Sequence, residues 1–357
     1  MKKRIFSALC AGAMLCSLLS ACGGSAQGVN GVVNVYNWGE YIDTDLLNEF
    51  TAQTGIKVNY STYESNESMY TKLRSGSVSY DVIIPSDYMI SRLIDENMLQ
   101  KLDFDQIPNY ANIDEQYKHM VYDPDDAYSV PYTWGTTGII YNPNMVSQPL
   151  TKWADLFDES KVGKHNVLMF DNSRDCIAIA LMALGYDINT NDADEITQAV
   201  DLLVKQKEDG IVQAYVMDQI FDKMTNNEAA AGVYYAGDYI IMLQDNPDLV
   251  WVQPEEGANL FLDAMCVPTT CKNYDNAMAF INFMCENSSY AANFDVIGYA
   301  PPSSGATALL DEEYQNSKVL YPSSDYLNTC TAFVNLSQDT LNLYDSEWLR
   351  LGTTQAG

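Results

Sequence analysis

Apolar residues recur along the chain in short runs, and segments with one apolar face follow most of these runs. In the first third of the chain the runs predict strands and the segments predict helices. The predicted strands span residues 32–36, 56–60 and 81–85, and the predicted helices span residues 44–53, 68–75 and 86–98. Strands that alternate with helices at this spacing indicate βαβ units and a parallel sheet.

The same alternation returns later in the chain. The predicted strands there span residues 166–170, 230–235, 249–253 and 261–267, and the predicted helices span residues 173–184, 194–207, 238–244 and 273–286. A chain of 357 residues is long for one hydrophobic core and suits two lobes. The pattern therefore predicts an α/β protein with two lobes.

The N-terminus has the layout of a secretory signal. Lys2, Lys3 and Arg4 precede an apolar run from Ile5 to Leu19, and small residues follow it. The run is shorter than the roughly 20 residues that a membrane-spanning helix needs. We therefore place a signal peptide at residues 1–21.

The end of this signal resembles a bacterial lipobox, in which a cysteine receives a lipid. Leu19-Ser20-Ala21-Cys22 is followed by Gly23, Gly24 and Ser25. We expect lipidation at Cys22, a flexible tether at residues 22–30, and an extracytoplasmic chain held to the cell membrane by lipid alone. An ordinary signal peptide with a chance cysteine is the alternative.

The balance of charge narrows the range of partners. With 48 acidic and 19 basic residues, the chain carries a formal net charge of −29. Such a chain repels nucleic acid and anionic membrane surfaces, so neither is an expected partner. A cationic ligand would be attracted, but the charge taken alone favours an acidic surface that only confers solubility.

Cysteine and histidine give little support for a metal or redox site. Five cysteines lie beyond the signal, and an odd number cannot all be paired within one chain. Cys266 and Cys271 are close enough in sequence to form a disulfide, but free thiols are an equal alternative. Only His119 and His165 are present, and CxxC is absent from the sequence. We expect no metal and no cofactor.

Several motifs, taken together, carry a family resemblance. The most specific is YNWGEY at residues 36–41, and the others are Phe50–Val58, Ser61–Glu67, Tyr80–Tyr88, Val130–Thr137, Asp171–Asp175, Phe261–Asp263 and Ile297–Pro301. They resemble the spermidine/putrescine-binding proteins of bacterial ABC importers. The resemblance runs from about residue 32 to about residue 350.

The resemblance implies the two-lobed α/β fold of type II periplasmic binding proteins, with the ligand in a cleft between the lobes. It places the first lobe at residues 31–137 plus 263–305 and the second at residues 138–262 plus 306–351. It also implies a monomer that captures a polyamine, spermidine or putrescine, and delivers it to an ABC transporter permease.

A polyamine site needs carboxylates for the ammonium groups and flat apolar walls for the methylenes. An unpaired buried charge is costly, and aromatic faces attract cations. By resemblance, the ligand-binding residues are Trp38, Glu40, Tyr41, Ser86, Tyr88, Asn172, Asp175, Tyr235, Phe261, Asp263 and Tyr299. Asp263 is the most telling of them, because it interrupts an apolar strand.

The site departs from the family pattern at several positions. Asn172 stands where the spermidine binder has an acid, Tyr235 and Phe261 replace tryptophans, and Gly39 replaces a hydroxyl residue. These changes bear on the length of the preferred polyamine. Taken singly, the aromatic residues also fit a core, and Ser86 fits a helix cap.

Other functions remain open on the residues alone. The same fold can bind another organic cation or an amino acid, for which Arg174 is the candidate partner of a carboxylate. Paired carboxylates also occur in glycoside hydrolases. Because GxSxG, HExxH and nucleotide-binding motifs are absent from the sequence, we expect a binding protein and not an enzyme.

Overall fold

The structure is a computed structural model that describes residues 30–357. The predicted signal, Cys22 and nearly all of the predicted tether lie outside the described residues. Among the helices of residues 30–357, none is long and apolar enough to cross a membrane.

The first third of the chain forms three strand–helix pairs. They are β1 (Val32–Trp38), α1 (Thr44–Thr54), β2 (Lys57–Tyr63), α2 (Asn66–Arg74), β3 (Val82–Ile83) and α3 (Asp87–Asp95). Helix α1 begins where the Asp43 side chain accepts the N–H of Asp45, and it ends at Gly55, whose φ of 73° requires the left-handed region. Phe50 on this helix is fully buried.

A long strand, β4 (Ser129–Tyr141), follows three short 3₁₀ turns. All 13 of its residues are buried. The motif at residues 130–137 lies in this segment, but the pattern of the sequence does not predict a strand there, because Pro131, Gly135 and Gly138 are unusual within a strand. Its burial on both faces reflects a place in the middle of the sheet.

The second half of the chain repeats the strand–helix alternation and then becomes mainly helical. The elements are α4 (Glu159–Val162), β5 (Val167–Phe170), α5 (Ser173–Leu184), α6 (Ala193–Glu208), β6 (Val212–Val216), α7 (Ile220–Thr225), β7 (Ala231–Tyr235), α8 (Ala236–Asp245), β8 (Val250–Val252), β9 (Leu260–Cys266), α9 (Tyr274–Met284), α10 (Asn287–Ile297), α11 (Ser304–Thr307), α12 (Glu312–Gln315), α13 (Ser324–Leu327) and α14 (Gln338–Thr353).

The nine strands of residues 30–357 form one curled sheet in the order β2-β1-β3-β9-β4-β7-β5-β6, with β8 paired to β4. Strands β1, β2 and β3 are parallel, as are β5, β6 and β7. Strand β4 joins the two parallel groups: Ser129–Thr136 pair antiparallel with β9, and Thr137–Tyr141 pair antiparallel with β7. The protein therefore has the two-lobed α/β architecture that the sequence predicts.

Two hydrophobic clusters lie on the sheet. One packs α1, α9 and α10 against it, with edge-on contact between Phe50 and Phe280. The larger cluster extends through the second parallel group and includes most of α5 and the buried face of α6. Both groups of parallel strands are thus covered by helices, as parallel sheets require.

Cys266 and Cys271 do not form a disulfide in the structure, and both are free thiols. Cys266 is a buried free cysteine at the end of β9, and Cys271 is a partly exposed one. The Cys271 thiol donates to Asp81 at 3.3 Å, and that carboxylate also accepts the backbone N–H groups of Lys272 and Asn273. Asp81 therefore ties the start of α9 to the first lobe.

Candidate ligand-binding cleft

One cleft lies where the carboxyl ends of the parallel strands meet. It encloses about 900 Å³ of space when its open mouth is included. Its walls come from the ends of β1, β2, β5, β6 and β7, from the segment before α3, and from β9. All eleven residues named from the resemblance line this cleft; they are Trp38, Glu40, Tyr41, Ser86, Tyr88, Asn172, Asp175, Tyr235, Phe261, Asp263 and Tyr299.

The turn after β1 supplies the first wall. Trp38 is anchored because its Nε1 donates to the carbonyl of Ile84 at 2.9 Å, and its ring packs on Tyr63 at 4.7 Å between centroids. Glu40 follows with a φ of 45°, which is unusual for a residue with a side chain. It lies before α1 (Thr44–Thr54), so it does not belong to the first turn of that helix. The strained turn holds its exposed carboxylate at the cleft.

Asp263 lies in the middle of β9 and is 5% exposed. Its Oδ2 accepts the Tyr41 hydroxyl at 2.7 Å, and Tyr41 in turn contacts Thr133 Oγ1 at 2.5 Å. Its Oδ1 has no hydrogen-bond partner among residues 30–357. Burial raises the pKa of Asp263 to about 6. One oxygen of the Asp263 carboxylate is thus oriented by Tyr41, and the other remains available as an acceptor in the cleft.

Asp175 occupies the opposite wall, in the first turn of α5. The Tyr235 hydroxyl donates to its Oδ2 at 3.2 Å. Burial raises the pKa of Asp175 to about 6. Asn172 lies beside it, but its Oδ1 accepts the backbone N–H of Asp175 at 2.8 Å and caps the helix. Its amide nitrogen contacts the sulfur of Met217 at 3.7 Å.

Ser86 and Tyr88 frame the cleft at the start of α3. Ser86 is the N-cap residue, but its side chain makes no capping hydrogen bond. It forms an isolated bridge with Asp263, which sets it against that acid. The Tyr88 hydroxyl donates to Glu67 at 2.9 Å and accepts from Asn66 at 3.1 Å. This network adds Glu67 and Asn66 to the wall.

Asp238 is a cleft acid that the sequence analysis missed. It lies in the first turn of α8, where an acid needs no special explanation. In the structure it is buried and accepts a short hydrogen bond from the Tyr299 hydroxyl. Burial raises its pKa to about 8. Tyr299 approaches because Gly237 leaves room for its ring, which a Cβ atom there would strike.

Asp218 is a second acid that the analysis missed. It follows β6, and its Oδ1 accepts the Tyr234 hydroxyl at 3.1 Å. A Cβ atom on Gly39 would lie only 2.8 Å from its Oδ2. The carboxylate of Asp218 therefore occupies the space that a side chain at position 39 would fill, against the turn that follows β1.

Aromatic rings connect these acids into one continuous lining. Tyr235 meets Phe261 at 5.3 Å between centroids, Phe261 meets Tyr299 at 6.0 Å, and Tyr299 meets Tyr41 at 4.9 Å, all close to edge-on. Such edge-to-face contacts are favourable and fix the rings in place. The cleft therefore has rigid aromatic walls between its carboxylates.

The charge of the cleft is one-sided. Its lining carries the carboxylates of Glu40, Glu64, Glu67, Asp87, Asp175, Asp218, Asp238 and Asp263. Within residues 30–357, no Lys, Arg or His side chain lines it. Asp87 is buried near Asp263, and burial raises its pKa well above the usual range. Within the described part of the chain, no three His, Cys, Asp or Glu side chains form a group that could hold a metal ion.

The sequence pattern of the bacterial extracellular solute-binding proteins matches residues 45–320. The chain belongs to this family. Members of the family carry solutes outside the cytoplasm, and the fold and cleft described above fit that role.

Several known proteins are similar over nearly the whole chain. The spermidine/putrescine-binding periplasmic protein of Salmonella typhimurium is 35% identical, over 92% of this chain and 92% of its own. The putrescine-binding periplasmic protein of Pseudomonas aeruginosa is 31% identical, over 94% and 96%. A Listeria monocytogenes protein provisionally named a spermidine/putrescine ABC transporter superposes with a TM-score of 0.87 at 38% identity, over 90% and 99%.

Proposed function

We propose that this solute-binding protein captures a linear polyamine, putrescine or spermidine, in the cleft and delivers it to an ABC importer. The observation that carries the proposal is the carboxylate of Asp263. It is buried in a strand, and its Oδ1 has no partner among the described residues. A buried anion without a cation is costly, so a cationic ligand is its natural partner.

The rest of the cleft supports a ligand with more than one cationic centre. Asp238 and Asp175 lie on other walls; Asp238 is also buried, and Asp175 is half-buried. Between the acids, Trp38, Phe261 and Tyr299 offer apolar surface suited to methylenes and cation–π attraction. A chain of methylenes with ammonium groups at intervals matches this alternation of acids and rings.

An amino acid fits the cleft less well. A carboxylate ligand needs a cationic partner, and Arg174 was the candidate. Arg174 is absent from the cleft lining and contributes to a separate, smaller cavity. An α-carboxylate in the main cleft would instead face the acids described above, which repel it.

Three finer features complete the proposal. The chain binds its ligand without transforming it. It is lipidated at Cys22 and anchored to the membrane by that lipid alone. It acts as a monomer that contacts the permease of the importer. The membership of an extracellular solute-binding family supports the extracytoplasmic part of this scheme.

We place the lobes at residues 31–137 plus 263–305 and at residues 138–262 plus 306–351. The pairing of β4 supports this division, because its partner changes from β9 to β7 between Thr136 and Thr137. Strand β9 pairs with the first-lobe part of β4 from Leu260 onwards. This pairing favours a return of the chain to the first lobe slightly before residue 263.

Calorimetric titration of the purified protein with putrescine, spermidine and spermine tests the function. We expect saturable binding of one molecule per chain for at least one of the first two. Arginine, glutamate and γ-aminobutyrate serve as comparison ligands. Tighter binding of any of these than of both polyamines would overturn the proposal.

A further inference from the structure

A second cavity lies beside the ligand cleft and shares two side chains with it, those of Glu67 and Tyr88. It encloses about 340 Å³ of empty space. Its remaining walls come from the start of α5 and from the C-terminal part of the chain, namely Ser173, Arg174, Val334, Leu336, Leu341, Tyr344 and Asp345. The hydrogen bond from Tyr88 to Glu67 lies in the wall between the two spaces.

Arg174 is the unusual group in this cavity. It is 4% exposed, and the structure gives it no salt bridge within residues 30–357. Its Nη2 donates to Oδ1 of Asn189 at 2.8 Å and to the carbonyl of Val334 at 3.2 Å. Its Nε and Nη1 have no partner among the described residues. A buried guanidinium with unused donors is costly unless an acceptor reaches it.

Other groups around this guanidinium also suit an anion. The buried Tyr344 hydroxyl has no partner in the described part of the chain. Ser173 is the first residue of the 12-residue helix α5, so the positive end of a helix dipole meets the same space. Val334, Leu336 and Leu341 provide apolar walls that limit access of water.

The geometry points to a binding site for a small monovalent anion at Arg174, occupied by chloride or by a short carboxylate such as acetate. Glu67 and Asp345 are the two acids in the lining, and both are exposed, so they belong to the rim. Their negative charges disfavour the entry of anions, so only a small anion of low charge should pass the rim and reach the guanidinium. Larger or multiply charged anions are repelled there.

The site would be coupled to the ligand cleft. Arg174 directly precedes Asp175, the acid that faces the cleft, and its guanidinium also lies 5.7 Å from the centre of the Tyr88 ring. The positive charge of a guanidinium without an anion repels an ammonium group that binds at Asp175. An anion at Arg174 neutralises that charge and so weakens the repulsion. Anion and polyamine therefore bind cooperatively, and each strengthens the other by the same factor. This coupling rests on the proposed polyamine function, whereas the anion site itself does not.

The direct test uses the unliganded protein and bromide. Crystals soaked in sodium bromide should show an anomalous peak within hydrogen-bonding distance of Arg174. In solution, chloride and acetate should raise the melting temperature above that in gluconate, a much bulkier anion, at one fixed ionic strength. Absence of the peak, or equal melting temperatures in the three salts, would overturn the site whatever ligand the cleft takes.

Variants separate a specific site from a general salt effect. Arg174→Met should abolish the difference in melting temperature between the salts. Tyr344→Phe should reduce that difference, and it provides the test if Arg174→Met does not fold. Asp345→Asn removes a rim acid and should enlarge the difference. Putrescine affinity should be about fivefold higher in chloride than in gluconate for the unaltered protein, and equal in the two salts for Arg174→Met. A salt difference that persists in Arg174→Met would contradict the proposal.

Discussion

The hydroxyl of Tyr41 donates a 2.7 Å hydrogen bond to Oδ2 of Asp263, while Oδ1 of the same carboxylate has no partner among residues 30–357. One oxygen is therefore used to orient the carboxylate, and the other remains an acceptor at the base of the cleft. An acid held in this way pays its desolvation cost before the ligand arrives, so a cation gains the full benefit of pairing with it.

The first prediction concerns this acid. Asp263→Asn keeps an oxygen for the Tyr41 hydroxyl but removes the charge that an ammonium group would meet. Removing one partner of a buried charge pair costs about 2–5 kcal/mol, so polyamine affinity should fall at least tenfold in calorimetric titration. Asp125→Asn serves as the control. It removes the same charge from an exposed residue that does not line the cleft. Equal affinities of the two variants would contradict the role of Asp263.

The second prediction concerns the preferred length of the polyamine. Asn172 caps α5, and aspartate caps helices equally well. Asn172→Asp should therefore keep the fold and add a negative charge beside Asp175. The ratio of spermidine affinity to putrescine affinity should rise, because spermidine carries the additional cation.

Asn172→Ser is the matched variant, since it keeps a capping oxygen without adding charge. Its affinity ratio should stay close to that of the unaltered protein. If Asn172→Asp and Asn172→Ser give the same ratio, the residue lies outside the shell that contacts the amines.

The third prediction concerns pH. Burial raises the pKa of Asp175 and Asp263 to about 6 and that of Asp238 to about 8, above the usual aspartate value of about 3.9. The unliganded folded protein therefore holds protons that the unfolded chain has lost. Its stability is fully present below pH 4 as far as these groups are concerned, and it falls as the pH rises through about 6 and then about 8.

A polyamine reverses this trend because it pairs with the ionised acids. Binding should release protons at pH 6–7, and affinity should increase with pH over the same range as the cleft acids lose their protons. Titrations in buffers of different ionisation enthalpy measure the number released. Asp238→Asn should lower the number released at the upper end of the range, and a value of zero for the unaltered protein would show that the cleft acids do not pair with the ligand.

The fourth prediction concerns specific stabilisation. A ligand that binds only the folded protein stabilises it by about 2.7 kcal/mol at a hundredfold excess over Kd. Putrescine or spermidine should thus raise the melting temperature, and the fluorescence of Trp38, which lines the cleft, should change with the same midpoint. Magnesium and lysine oligomers test the alternative of loose attraction to an acidic surface. Stabilisation by them equal to that by spermidine, together with no effect of Trp38→Ala, would exclude capture in the cleft.

The local pattern of the sequence predicted the helices well where both ends carry a signal. Helix α5 begins and ends at the predicted residues, because Asn172 caps it and Gly185 follows it in the left-handed region. Strand β3 is shorter than predicted, since only Val82 and Ile83 pair with neighbours. Strand β4 was missed because its proline and glycines are typical of loops, and only its central place in the sheet explains them.

The residues named by resemblance all line one cleft, but five of the eight acids in its lining were not among them, and two of these five, Asp218 and Asp238, also lie outside the motifs. Asp238 has the position of an ordinary first-turn acid, and its burial depends on the ring of Tyr299, which is distant in sequence. Asp218 follows β6, a strand that the pattern did not predict. Its proximity to Gly39 depends on how the two ends of the sheet face each other. Such long-range contacts leave no local signal.

The burial of β4 has a consequence for the lifetime of the protein outside the cell. A protease must draw an extended segment into its active site, and exposed, mobile connections are where cleavage concentrates. Here all 13 residues of the strand that joins the two halves of the sheet are covered by neighbouring strands and side chains. This crossing between the two halves of the sheet thus offers no easy site for cleavage by secreted proteases.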